Sequence, residues 1–235
     1  MSAAQAMILA AGRGERMRPL TDSRPKPLLE VHGKPLMGYH LEAFGQAGFA
    51  DVVVNTAWLG EQIERHYGTE SGNVRIHYSH EGRDFGGALE TAGGIARALP
   101  WLDEVFWIVA GDVYMPQFRF GREALERFAA GDKLAHLVLV PNPDHNPKGD
   151  FGLRADGVAL NTADQRFTYS TTGLFRKAFF DTLPPGNPQG LKVALAPLLR
   201  TAIAGEQVSA ETYTGAWTDV GTPQRLDSLN RGRPL

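Results

Sequence analysis

The stretch that most limits what this chain can become lies near its start. An apolar run, Ala6-Met7-Ile8-Leu9-Ala10, breaks at Gly12 and Gly14 and is followed at once by Arg13, Arg16, Arg18 and then Pro25-Lys26-Pro27. A short, wholly apolar run bounded by glycine predicts a buried strand. Glycines lack Cβ, so their backbone N–H groups can approach an anion closely. Two familiar glycine motifs are excluded. A dinucleotide fingerprint, G-x-G-x-x-G, needs glycine at 17, where this chain has Met, and it needs a helix that Pro19, Pro25 and Pro27 prevent. The Walker phosphate loop fails because no Gly-Lys-Ser/Thr follows the glycines. What remains is a strand that delivers small residues and four cations to one point, a layout suited to a polyphosphate. The plain alternative is a glycine-rich turn with solvated arginines.

The chain beyond this point alternates. Pro35 stands at a helix start, and Leu36, Tyr39, His40, Leu41 and Phe44 recur at helical spacing up to Gly45 and Gly48. That spacing places His40 on an apolar face, as a core or boundary histidine. Residues 51–55 predict a buried strand, 58–67 a short amphipathic helix, 74–78 an alternating strand, 89–99 a helix, and 105–110 the most apolar strand. His77 and His80 fall on opposite faces of their strand, which argues against a metal pair. Strand–helix alternation of this kind predicts a parallel sheet with helices on both faces, and such sheets bind ligands beyond the carboxyl ends of their strands. The glycine loop and Asp112 both leave strands at that edge. From Ala135 the texture changes: residues 136–140, 151–154 and 168–175 read as strands with short links, an antiparallel or mixed region set over part of a cleft. Helices return at 193–204 and at 222–229, the latter opened by Thr222-Pro223.

Composition bounds the function classes. The 43% hydrophobic content supports a substantial core, and a net charge of -2 argues against a general nucleic-acid binder. With no cysteine, disulfides, thiolate catalysis and Cys-ligated zinc are excluded. The amino terminus lacks a basic n-region, Met7 to Ala11 is too short for a signal h-region, and no apolar run approaches the ~20 residues of a membrane span. The expectation is a cytoplasmic protein without nucleic-acid or membrane partners, a monomer or weak oligomer.

The stretch Leu9-Ala10-Ala11-Gly12-Arg13-Gly14-Glu15-Arg16-Met17-Arg18-Pro19-Leu20-Thr21, closed by Pro25-Lys26-Pro27-Leu28, resembles the signature of the sugar-1-phosphate nucleotidyltransferases. The likeness continues through Asn55-Thr-Ala-Trp58-Leu-Gly60, Leu89-Glu-Thr91-Ala-Gly93-Gly94, Gly111-Asp112-Val113, Gly149-Asp150-Phe151, Leu195-Ala-Pro197-Leu-Leu-Arg200 and Trp217-Thr-Asp219-Val-Gly221, and so spans nearly the whole chain. The resemblance implies an α/β, three-layer Rossmann-like fold with a mixed, mostly parallel sheet, helices on both faces and a small β-rich sugar-binding subregion. It implies one domain over 1–235, with its nucleotide-binding part at about 1–134 and its sugar-phosphate part at 135–235.

Site roles follow from the same resemblance. Asp112 and Asp219, which on their own read more readily as N-caps or turn formers, match the family's Mg²⁺ carboxylates, and Mg²⁺ prefers such oxygen ligands. Arg16 matches the arginine that meets the leaving β- and γ-phosphates, and Lys26, stiffened between two prolines, the cation near the α-phosphate. Arg16, Lys26 and Asp112 are therefore the expected catalytic residues. Backbone groups of Ala11, Gly12, Arg13 and Gly14 are expected to cradle the triphosphate, with Arg13 and Arg18 side chains either assisting or solvated. Thr91 and Gly93 belong to the base-recognition turn, Glu81 is a further candidate for the base edge, and Ala110 lines the ribose. Residues Arg83 to Ala88 look a few residues longer than the family pattern. Asp150 is the expected sugar contact, with a turn aspartate as the alternative. The implied reaction joins UTP to a sugar-1-phosphate, N-acetylmuramic acid α-1-phosphate in peptidoglycan recycling. The rivals are GTP with mannose-1-phosphate, CTP with a phosphorylated alcohol, or a non-catalytic nucleotide-sugar-binding regulator. An acidic sugar substituent, if gripped, calls for a cation near Asp150, with Lys148 and Arg154 nearest in sequence.

Overall fold

The computed structural model describes residues 3–232. Eight strands share one sheet: β1 (Ala4–Leu9), β2 (Asp51–Thr56), β3 (Glu70–Ser71), β4 (Val74–His80), β5 (Leu102–Ala110), β6 (Ala135–Val140), β7 (Thr168–Arg176) and β8 (Val208–Thr212), in the spatial order β8-β6-β7-β5-β1-β2-β4-β3. The main helices are α1 (Leu36–Gln46), α2 (Gly60–Tyr67), α3 (Glu81–Phe85), α4 (Glu90–Ala98), α5 (Arg122–Ala130), α6 (Leu195–Ala204) and α7 (Pro223–Arg231). Strands β5, β1, β2 and β4 run parallel, as the alternation predicts, and β8 is parallel to β6. β7 is antiparallel to both β5 and β6, and β3 to β4.

The period of two along the strands sorts their side chains into two cores. On β5, Val105, Trp107 and Val109 join a cluster with Phe44 of α1, Ile63 of α2 and Leu125 of α5. The intervening Phe106 and Ile108 join the opposite cluster, with Ile95 of α4 and Leu199 of α6. β2 divides in the same way, Val52 and Val54 against Val53. Helices on both faces therefore follow from central strands that turn apolar side chains to both sides of the sheet. A third, smaller cluster (Met17, Leu29, Val31, Leu36, Tyr114, Val220, Leu226) fastens the segment after the glycine loop to α7.

The second half adds strands to the same sheet instead of building a separate one: β6, β7 and β8 are three of its eight members. The small pair Gly152–Leu153 and Ala159–Leu160 stands apart, anchored by single bridges from Phe151 to Phe167 and Val158 to Ser209, as does Thr218–Asp219, which pairs with Val113–Tyr114. The extended segment expected at 151–154 is thus a two-residue strand. α7 begins as its sequence predicts, with Thr222 capping the helix by accepting from Arg225 N and Pro223 in the first turn. Among the described residues no helix is long and apolar enough to cross a membrane.

Candidate active site

β1 and β5 are neighbours and end together, so the chain leaves both at one point. Gly111 N donates to Leu9 O at 2.8 Å, and a Cβ on Gly111 would sit 3.1 Å from that same oxygen. Glycine at 111 therefore lets Asp112 lie beside the glycine loop. His40 braces this exit from α1: buried in the core, its Nε2 lies 2.9 Å from Val113 O, and burial lowers its pKa to about 4.

A cavity of about 760 Å³ opens at this edge. Ala11, Gly12, Arg13, Lys26, Ala110 and Asp112 line one wall. Lys26 is nearly buried, and its ammonium donates to the Asp112 carboxylate. Gly14 is in the left-handed region at φ 68, and its carbonyl accepts from Thr21 Oγ1, so it shapes the turn that carries Lys26. A Cβ there would lie 3.0 Å from Thr21 Cγ2. Arg13 is committed to the loop itself: it donates to Thr21 O and Asp22, and its guanidinium stacks 3.8 Å from the Trp58 ring centre. Arg18 pairs with Asp22 and Glu15 at the surface, and Asp22, hydrogen-bonded first by Arg13 and then by Arg18, has a lowered pKa. Arg16 is exposed, lies off the cavity wall, and makes no ion pair or side-chain hydrogen bond with the other described residues.

The base-turn side of the cavity is lined by Glu81, Ala88, Glu90 and Thr91. Glu81 is fully buried; its Oε1 accepts from Asn55 Nδ2 at 2.6 Å and its Oε2 from Leu89 N at 2.7 Å. Burial raises its pKa, against the pull of those two donors. Gly93 does not reach the cavity. It packs on the returning segment before α6, where its N–H and that of Ala92 donate to Val193 O, and a Cβ on it would come within 2.3 Å of Leu191 O. The Arg83–Ala88 stretch completes α3 and turns toward α4: Asp84 pairs with Arg97, whose guanidinium lies over Phe85 and Trp101.

The facing wall comes from the second half of the chain: Asp150, Phe151, Tyr169, Thr171, Leu199 and Arg200 all contribute. Asp150 Oδ2 accepts from Tyr169 N at 2.8 Å and Oδ1 from Asn146 Nδ2 at 3.2 Å. Thr171 sits at φ 59 in a bulge of β7, a rare conformation for a β-branched residue. The Arg200 guanidinium lies 5.3 Å from the Phe151 ring centre and takes part in no ion pair with the other described residues. Arg154 is engaged elsewhere, by Asp156 and Glu206, and Lys148 is exposed and off the cavity wall.

Asp219 also lies off the cavity wall, but its backbone is bound to the Asp112 segment. Thr218–Asp219 pairs with Val113–Tyr114, and Val220 N donates to Asp112 O at 2.9 Å. Its Oδ2 lies 2.5 Å from Arg225 of α7. Its Oδ1 is buried and accepts no hydrogen bond, although His145 Nε2 stands 3.0 Å away. Among the described residues no cluster of three or more His, Asp, Glu or Cys side chains gathers. Two carboxylates, one on a short strand and one just before its partner strand, the first with an unsatisfied buried oxygen, nonetheless form a donor set that suits Mg²⁺, which completes its shell with water and phosphate oxygens.

Asn55, Tyr169 and Arg200 are site residues to which sequence reading gives no role. Asn55 carries a usable signal, a polar residue closing an otherwise apolar strand. Arg200 carries its place in a helical stretch and closes the Leu195–Arg200 likeness, neither of which gives it a role.

The nucleotidyl transferase family model matches residues 5–162. The chain is 47% identical to N-acetylmuramate alpha-1-phosphate uridylyltransferase of Neisseria meningitidis serogroup B, over 94% of this chain and 95% of that one. It is 30% identical to the enzyme of the same name from Caulobacter vibrioides, over 93% and 92% of the two chains. Among solved structures, HddC from Yersinia pseudotuberculosis complexed with GMP-PN superposes with a TM-score of 0.72 at 17% identity, covering 97% of this chain and 98% of that one, a likeness of fold. With a fold and a glycine-loop cavity of this kind, a family model matched over residues 5–162, and relatives matched over nearly the whole chain, the chain belongs to the nucleotidyl transferase family.

Proposed function

We propose that this protein transfers the uridylyl group of UTP to N-acetylmuramic acid α-1-phosphate, releasing pyrophosphate and forming a UDP-sugar for cell-wall recycling. The observation that carries this reading is the 47% identity, end to end, with a uridylyltransferase of that specificity. The cavity supplies groups that fit each step. In the reaction a sugar-phosphate oxygen attacks the α-phosphorus while the bond to the bridging oxygen of pyrophosphate breaks. Both reactants are anions, so positioning and charge compensation carry the catalysis.

In this reading the backbone of residues 11–14 cradles the triphosphate. Lys26, aimed by its flanking prolines, compensates charge at the α-phosphate. Arg16, exposed and unpaired by the other described side chains, would meet the leaving β- and γ-phosphates. Asp112 and Asp219 would hold Mg²⁺, which when bound supplies Lewis-acid and templating charge. Thr91 and Ala110 line the nucleoside, and Asp150 orients the sugar. The one cation on the facing wall, among the described residues, is Arg200, and we assign to it the lactyl carboxylate of the muramyl group. Residues 1–134 then serve the nucleotide and 135–235 the acceptor within one domain, in a cytoplasmic enzyme.

A pyrophosphate-release assay crossing four nucleoside triphosphates with a panel of sugar-1-phosphates tests this. UTP with N-acetylmuramic acid α-1-phosphate is expected to give the highest kcat/KM. A preference for GTP with mannose-1-phosphate, or for N-acetylglucosamine-1-phosphate, would move the protein to another branch of the family.

A further inference from the structure

We propose that Glu81 is a positioning residue that fixes the distance between the triphosphate loop and the base turn, acting through Asn55, and does not itself read the base. The proposal rests on the nucleotidyl-transfer reading of the cavity, and its test separates the two.

Three bonds link the parts. Ala10 N donates to Asn55 Oδ1 at 2.8 Å, Asn55 Nδ2 donates to Glu81 Oε1 at 2.6 Å, and Leu89 N donates to Glu81 Oε2 at 2.7 Å. The chain of bonds therefore begins and ends on a backbone N–H, one at the entry to the glycine loop and the other at the entry to the base turn. A backbone N–H can only donate, which fixes the polarity of everything between. Asn55 must turn its oxygen to Ala10 and its amide NH₂ to residue 81. Residue 81 must then accept at both ends, which among side chains of this length a carboxylate does and an amide does not. The site is also sterically committed to this pair: a Cβ on Gly94 of α4 would lie 2.4 Å from Glu81 Oε1 and 2.9 Å from Asn55 Nδ2. Glu81 and Asn55 are both buried, so a lost partner strands a buried polar group. Sequence reading places Glu81 at the base edge because it borders the base turn. The structure shows both of its oxygens already engaged, each by a donor from a different part of the cavity wall.

The polarity argument supplies its own test, by exchanging the two functional groups. Glu81→Gln sets two amide donors against each other; flipping Asn55 only moves the conflict to Ala10 N. Asn55→Asp opposes two buried carboxylates. The double variant Glu81→Gln/Asn55→Asp restores every bond. The carboxylate then at position 55 accepts from Ala10 N and from the amide NH₂ at position 81, whose carbonyl oxygen accepts from Leu89 N. Each single variant is expected to lose roughly ten- to a hundredfold in kcat/KM for UTP, mostly as a raised KM for nucleotide with the KM for sugar phosphate unchanged. The double variant is expected to recover to within about threefold of the parent, with the parent's base preference.

Amide hydrogen exchange at Ala10 and Leu89 is the second readout. Protection at both positions should fall together in Glu81→Gln and return together in the double variant. Recovery of exchange protection with an altered ranking of UTP against CTP and GTP would show that Glu81 touches the base, and would overturn the proposal. A double variant no better than the worse single in both readouts would overturn it as well. Should a single variant fail to fold, the double variant against the parent still decides the point. If the parent showed no UTP turnover, the function reading would fail while the exchange data still judged the link.

Discussion

The two walls of the cavity are built by different means. On the glycine-loop side, Ala10 N, Asn55, Glu81 and Leu89 N are joined in series by buried hydrogen bonds, and Lys26 is nearly buried against Asp112. On the facing side, Asp150 hangs on Tyr169 N and on Asn146 of a loop, and Arg200 rests over Phe151 without an ion partner among the described residues. A wall of buried hydrogen bonds holds its shape because each broken bond strands a polar group, at about 1–3 kcal/mol. The exposed side chains of the facing wall, Thr171 and Arg200, can change residue by residue at little cost to the fold. The difference fits two tasks. The triphosphate of any nucleotide presents the same oxygens, whereas an acceptor must be told from its neighbours.

The contrast breaks first at the carboxylates. Asp112→Asn or Asp219→Asn should lower turnover by on the order of 10²–10³, about 2.7–4 kcal/mol in barrier, with every acceptor alike and with the melting temperature nearly unchanged. Lys26→Ala should reduce kcat more than nucleotide affinity, because its contribution grows as charge develops. Pyrophosphate release measured across acceptors checks both. A loss confined to one sugar would place these residues on the wrong wall.

A second test uses pH. His40 is buried behind Val113 with its pKa lowered to about 4, from an ordinary value near 6.5. The unfolded chain binds this proton more readily, so the neutral histidine's contribution is complete above about pH 6.5 and is lost as pH falls toward 4. The difference is about 3 kcal/mol at the acid end. His40→Gln, which keeps a donor for Val113 O, should flatten that part of the stability profile. Urea unfolding of both proteins at pH 7 and pH 4.5 measures it, and parallel profiles would show that the site is less dry than its burial indicates.

Gly93 probes where the glycine-loop wall ends. Since a Cβ there meets Leu191 O, Gly93→Ala should destabilise by about 1–3 kcal/mol, read as a lower Tm. Residual activity per folded molecule should stay close to the parent's. A fall in nucleotide affinity at unchanged Tm would restore Gly93 to the nucleotide site.

These cases show what the sequence can reveal. The glycine loop, the stiff Pro25-Lys26-Pro27 stretch and the placing of Asp112 at a strand end are local patterns, readable because a strand, a break and a proline act within a few residues. The Thr222-Pro223 helix start is legible for the same reason. The packing of Gly93 against Leu191, the joining of Glu81 to Asn55, and the entry of β6 and β7 into the main sheet are contacts between distant segments. Nothing in the local pattern of either partner encodes them. Glu81 stands out in the sequence by its neighbourhood, but its partners decide its role.

Arg200 offers the finest test of the comparison. It is exposed, carries no ion partner among the described residues, and faces the cavity from α6. A contact between its guanidinium and a sugar carboxylate forms in a site open to water, so screening and side-chain ordering consume much of the Coulomb attraction. Arg200→Ala should therefore cost only about tenfold in kcat/KM for N-acetylmuramic acid α-1-phosphate, ~1.4 kcal/mol, and leave N-acetylglucosamine-1-phosphate, which lacks the carboxylate, nearly untouched. Arg200→Lys should fall between the two, since a point charge keeps the attraction but loses the forked donors. The loss should shrink as salt is raised, because a screened contact has less to lose. An equal drop with both sugars would mean that Arg200 supports the Phe151 wall by packing, and the acidic substituent would then point to solvent.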